Sequence, residues 1–216
     1  RPVAPRESAS SAGRCSLRPA SLLTAFIGDL FGASDPAVDF WGPYSPQWDA
    51  KELFLSQNMG QVYAGALPFL LLIAPGISRG WLWDRAIRPF TILSVMMVLF
   101  SLGRYTPFFH LAYEYLPGVK AFRRPADATF LIGALGAVLS GYLLHRLLTE
   151  EKARAPWRDL GIAGLVLAAL IGGALLVAQR EGHLGDAWWP SAVAGLWFAL
   201  AAAIVFSLTR WRAAIG

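Results

Sequence analysis

Five stretches of this chain carry no charged residue: 53–78, 89–103, 128–144, 160–179 and 187–209. A helix needs roughly 20 predominantly apolar residues to cross the hydrocarbon core of a bilayer. The last two stretches meet that length, and the first exceeds it. The second and third are shorter, and Arg88, Arg104 and Arg146 at their ends can snorkel to extend them. In lipid every backbone polar group must be satisfied within the segment, so these runs predict helices. The fold expected is an all-α integral membrane protein with about five transmembrane helices, at about 62–78, 87–103, 128–148, 160–179 and 188–209.

The tryptophans support that count. Trp81, Trp83, Trp157, Trp188, Trp189 and Trp211 flank the expected spans, where an interfacial aromatic belt would lie, and Trp197 alone falls inside one. The net charge of +5 then reads as cytoplasmic anchoring, because no soluble basic face is left to meet a nucleic acid. Counting Lys and Arg by loop gives three in 79–88, four in 145–159, one in 180–189 and two in 210–216. The richer loops belong inside, which places the N-terminal region outside and the tail 210–216 in the cytoplasm. The loop 103–127 breaks this rule: it falls outside yet carries four cations.

Residues 1–20 are polar and read as a disordered or fragment-derived tail. The sequence opens on Arg1 with its first methionine at Met59, and the expectation is a C-terminal portion of a longer protein. Residues 21–61 read as an ordered external loop. It opens on an eleven-residue segment, 21–31, that puts Leu22, Leu23, Phe26, Ile27, Leu30 and Phe31 on one face, the pattern of an interfacial helix. Residues 62–209 form the transmembrane bundle. Gly133, Gly136, Ala137 and Gly141, with Gly161, Gly164, Ala168 and Gly172, have the small-residue spacing that lets helices approach closely in lipid. Pro68 and Pro75 predict a kink or an end in the first span.

The segment from Gly103 to Ala128 is richer than a connecting loop requires. It combines Tyr105, Phe108, Phe109, Tyr113, Tyr115 and Phe122 with Arg104, Lys120, Arg123 and Arg124. Guanidinium groups hold phosphate in a fixed fork, and aromatics with polar tips favour the headgroup level. Arg123 and Arg124 also precede Pro125, where a helix is expected to begin and its free N–H groups attract anions. Candidate lipid-phosphate contacts are therefore Arg104, Arg123 and Arg124, with Tyr105 and Tyr113 packing on an isoprenoid or sugar. The bland alternative is that juxtamembrane arginines meet headgroups without specificity.

Other chemistry is sparse. Asp35, Asp39, Asp49 and Glu52 could supply a base or bind a hard cation, but their spacing fits no metal motif. His110, His145 and His183 are scattered, and no P-loop, nucleophile elbow or dinucleotide fingerprint occurs. No metal or cofactor is expected, although a divalent cation is compatible with the class of chemistry. Cys15 stands alone and cannot form an internal disulfide.

Three segments in order carry a family resemblance: 41–48 (WGPYSPQW), 59–72 (MGQVYAGALPFLLL) and 101–133 (SLGRYTPFFHLAYEYLPGVKAFRRPADATFLIG). Together they resemble the YfhO-like bacterial membrane proteins, of the GT-C class of multi-span glycosyltransferases that use polyprenyl-phosphate sugars. The matching positions are Tyr63, Gly65, Leu67 and Pro68, then Leu102, Gly103, Arg104, Tyr105, Pro107, Leu116, Pro117, Phe122, Arg123 and Pro125. The likeness covers about 20–148. It implies sugar transfer from a polyprenyl-phosphate carrier to an extracytoplasmic glycan or lipid in the bacterial inner membrane, with the catalytic acid upstream of this chain. The family's second basic residue after the proline is Asp127 here, and Arg124 adds a cation before it. A transporter or flippase for lipid-linked saccharides and a non-enzymatic membrane scaffold are the rival readings. Polar residues within the spans, such as Ser94 and Ser140, are too few to favour the transporter.

Overall fold

The computed structural model describes residues 16–32, 40–42, 61–117, 119, 125–149 and 157–215, with backbone only over 212–215. Among the described residues helix is the only regular secondary structure, as the uncharged runs predict. Helix α1, Ala66–Leu71, continues as a π-helical turn, Leu72–Ile77. Then follow α2, Arg88–Ser101; α3, Pro107–Tyr115; α4, Thr129–Thr149; α5, Trp157–Glu181; and α6, Leu184–Ile215.

Among the described residues three helices are long and apolar enough to cross a membrane: α4 with its lead-in (Pro125–Thr149), α5 (Trp157–Glu181) and the Leu184–Trp211 part of α6. The other two expected spans form shorter apolar helices, Ala66–Ile77 and Arg88–Ser101. At about 1.5 Å per residue they extend roughly 20 Å each, less than the hydrocarbon thickness. The first is short because residues 61–65 are not helical, and Gly65 turns the chain at φ +97° before α1 begins. Pro68 falls in the first turn of α1, where no N–H is needed, and Pro75 sits inside the π turn, as the predicted kink required.

Short α1 is the centre of the molecule. It touches α4 and α6, and its π turn touches α5. Leu70 and Leu71 are fully buried there, with Phe69, Ile73 and Ala74 around them. Helix α2 packs on α4, and α5 on α6. The buried stripe of α6, which faces α5 and α1, runs Ala187, Ser191, Ala194, Phe198, Ala201 and Val205, alternating steps of four and three as in a coiled coil. Small buried residues on α5 (Ala163, Ala174, Ala178) let the two backbones approach. The glycine stripes expected to do this do not. A Cβ added at Gly133, Gly136, Gly141, Gly161, Gly164 or Gly172 would meet nothing within 4 Å.

The expected interfacial helix is a shorter 3-10 helix, Pro19–Ala25, followed by turns to Gly32. Its apolar side faces protein more than lipid. Ile27, Leu30 and Phe31 are buried against Ala174 and Ala178 of α5 and Ala187 and Ala194 of α6. Trp41 joins them, edge-on to Phe31 and stacked on His183 with ring centroids 5.5 Å apart. Residues 16–32 thus brace one end of the bundle.

Candidate functional site

The turn that carries Arg104 is fixed by contacts far apart in sequence. Gly103 closes α2 in the left-handed region at φ +50°, and a Cβ there would collide with Ser16 Oγ and stand 3.3 Å from Pro125 Cβ. Ser16 Oγ accepts the Arg104 backbone N–H at 2.9 Å, and Leu17 N–H donates to the Ser101 carbonyl at 2.8 Å. The Thr106 hydroxyl donates to the Leu99 carbonyl at 2.7 Å, and Pro107 then starts α3 without an N–H to satisfy. The result is an exposed Arg104 whose guanidinium lies 5.5 Å from the Tyr105 ring centroid, at the level where Pro125 leads into α4.

The predicted site residues part company here. Arg104 and Tyr105 stand together at the surface. Tyr113 turns inward, where it is buried against Phe109 with Phe100 and Val119 beside them, so its ring packs within the α2–α3 hairpin. Arg123 and Arg124, with Lys120 and Phe122, lie outside the described residues, as do Asp35, Asp39, Asp49 and Glu52.

Beside Pro125 opens a cleft of 480 Å³, within the range of small-molecule sites. It is lined by Gln61, Val62 and Tyr63 on one wall, and by Ala126, Asp127, Thr129, Phe130, Gly133 and Ala134 of α4 and its lead-in on the other. The N-terminal segment sets the first wall. Buried Thr24 accepts the Val62 N–H at 3.1 Å while donating to the Ser21 carbonyl, and Gly28 leaves room for the Tyr63 ring. The second wall follows from Pro125–Ala128, a single 3-10 turn that buries Pro125, Ala126 and Ala128 and leaves Asp127 exposed. Among the described residues no ion pair or hydrogen bond engages the Asp127 carboxylate. On the far side of Tyr63 a second cleft of 200 Å³ is lined by Ala66, Leu67, Trp197, Leu200, Ala201 and Ile204.

The opposite end of the bundle holds a different arrangement. Arg79 bonds Asp159 Oδ2 through Nε at 2.7 Å and through its terminal nitrogen at 2.6 Å, a two-pronged grip, and the Ser78 hydroxyl donates to the other carboxylate oxygen. Arg146 pairs with Asp84, which also accepts the Tyr142 hydroxyl at 3.3 Å. Both guanidinium groups lie over the Trp81 ring, at 5.1 Å and 4.4 Å from its centroid. Two expectations change. Arg146 is tied to Asp84 rather than free to snorkel, and Trp81 is buried within this cluster whereas Trp83, Trp157, Trp188, Trp189 and Trp211 stay exposed.

Among the described residues no group of three or more His, Cys, Asp and Glu side chains is placed to hold a metal ion. His110 and His145 stand apart, and His183 meets Asp186 at 2.9 Å. The cleft residues Gln61, Tyr63, Asp127 and Thr129 were not singled out as a site by sequence. Their legible signals are polarity within or just before the uncharged runs, which a helix cap or a loop would equally produce, and the appearance of Tyr63 and Asp127 in the family resemblance as a match and a departure. No family model, curated protein or solved structure matches this chain.

Proposed function

We propose that this chain is part of a polytopic, glycosyltransferase-like protein of the bacterial inner membrane, which transfers a sugar from a polyprenyl-phosphate carrier to an extracytoplasmic glycan or lipid. The observation that carries this reading is the exposed Arg104, whose backbone is held by Ser16 in a turn where Gly103 packs against Pro125, the residue that leads into one wall of a 480 Å³ cleft. Sugar transfer breaks the bond between the anomeric carbon and the phosphate oxygen, and the acceptor oxygen bonds to that carbon as it gives up its proton. Negative charge grows on the departing phosphate, and a positioned guanidinium stabilises it most at that moment. Arg104 fills that role, with Arg123 and Arg124 as its sequence neighbours in the same loop. Tyr105 holds the Arg104 side chain by a cation–π contact and offers a flat surface to an isoprenoid. In this reading the loop-rich end lies outside and the C-terminus in the cytoplasm.

Binding of an undecaprenyl-phosphate hexose to the purified protein in nanodiscs tests the proposal. Arg104→Ala should weaken binding about tenfold, the worth of one charge-assisted hydrogen bond, and Arg123→Ala/Arg124→Ala should weaken it further, with thermal unfolding unchanged. Equal binding by all three proteins would reduce these arginines to headgroup contacts and favour the scaffold. Carrier binding accompanied by movement of the intact carrier between leaflets, without sugar release, would favour a flippase.

A further inference from the structure

The two clefts that meet at Tyr63 differ in chemistry and in depth. The larger one gathers the side chains of Gln61, Asp127 and Thr129 around an apolar base formed by Phe130, Gly133 and Ala134. Its position is the outer part of α4, the end from which the Arg104 loop springs. The smaller one has no charged residue in its wall. Trp197 of that wall stands near the middle of the 28-residue apolar stretch Leu184–Trp211, so this cleft lies at hydrocarbon depth if α6 spans. Tyr63 lines both clefts.

We infer that the two clefts hold one amphipathic molecule, its uncharged, hydroxylated head against Asp127, Thr129 and Gln61 and its single hydrocarbon chain passing Tyr63 to Trp197, Leu200 and Ile204. An ionised carboxylate accepts hydrogen bonds and cannot donate them, so Asp127 favours hydroxyl donors and repels a phosphate. Thr129 can both donate and accept, and the Gln61 amide offers both kinds of group, a set suited to a sugar or glycerol edge. An apolar chain gains nothing from those groups, but it fits the aliphatic and indole wall below Tyr63. In terms of the proposed function, on which this identification rests, the amphiphile is the acceptor: a neutral lipid-anchored polyol. The anionic carrier is left to the Arg104 side. Separation of the two substrates by charge explains why Asp127 stands near the arginine loop without neutralising it.

Gly133 gives a way to block the cleft without disturbing its frame. It lines the larger cleft, and an added Cβ there meets nothing within 4 Å, so Gly133→Leu fills the space while favouring the helix. Gly141→Leu on the same helix is the matched control, since that position is equally open but lies outside both clefts. The probe is dodecyl glucoside with a diazirine in its alkyl chain, photolysed with the protein in phosphatidylcholine nanodiscs and mapped by mass spectrometry. The expected result is labelling concentrated in 61–67 and 197–204, lowered about tenfold by Gly133→Leu and unchanged by Gly141→Leu. The same chain under a phosphate head should label these segments weakly, and Asp127→Asn should narrow the gap between glucoside and phosphate. Labelling spread evenly over the lipid-facing helices, labelling indifferent to Gly133→Leu, or equal labelling by the phosphate head would overturn the inference. No carrier takes part in this experiment. It can therefore fail while the Arg104 test succeeds, and the reverse.

Discussion

At one end of the bundle Arg79 and Arg146 each meet a carboxylate and share the Trp81 ring; at the other, Arg104 and Asp127 remain exposed on either side of Pro125. The first set closes on itself. Arg79 and Asp159 expose only 19% and 12% of their side chains, and their partners are aligned in a fixed grip. Such pairs rarely add net stability over apolar residues, but losing one partner strands a charge away from water. The second set stays open: Arg104 stacks on Tyr105 and Asp127 lines the cleft from a short turn. Charges that satisfy each other describe structure. Charges kept apart beside a cavity are available to a ligand.

This contrast can be broken by substitutions at each end. The largest effect is expected from Asp159→Ala, which leaves Arg79 mostly buried without its carboxylate and should cost about 3 kcal/mol, read as a lowered unfolding midpoint in detergent. A change below about 0.5 kcal/mol would show that water reaches this pair and would remove the distinction between the ends. Gly103→Ala should come next, at about 2 kcal/mol, because it adds a left-handed alanine and a clash with Ser16. Here Arg104-dependent carrier binding should fall along with stability, and retained binding would mean that the turn does not position the arginine. Arg146→Ala should cost about 1 kcal/mol, since that pair is more exposed and the Trp81 contact is lost with it. Asp127→Ala should leave the unfolding midpoint within about 0.5 kcal/mol of wild type. A larger loss would mean that Asp127 is a structural residue.

Much of the fold could be read from residues alone, for uneven reasons. Leu160–Gln179 and Ala187–Thr209 are uncharged over a length that has few physical solutions besides a buried or membrane helix, and α5 and α6 follow them closely. The short helices were harder. Nothing in the apolar run 53–78 marks residue 66 as the start of α1 except Gly65, whose positive φ depends on the chain around it. Arg104 and Tyr105 were legible as candidates because cations and aromatics are concentrated in one loop that the positive-inside count places outside. Tyr113 has the same composition signal but the opposite burial, since the helix α3 phase turns it towards Phe109.

What the sequence by itself determined is the helical, membrane-compatible character of the chain and the concentration of aromatic and basic residues between α2 and α4. Both follow from local composition: hydrocarbon length sets the apolar runs, and backbone hydrogen bonding in lipid demands helices. Only the tertiary structure decided which charges are consumed and which are left. Asp159 pairs with Arg79 across 80 residues, and Ser16 holds Arg104 across 88. It also decided that residues 27–31 pack on α5 and α6 and that Tyr63 lines two clefts. Periodicity can assign a residue to a face of its own helix, but the partner of that face is set by how short α1 lets the longer helices close around it.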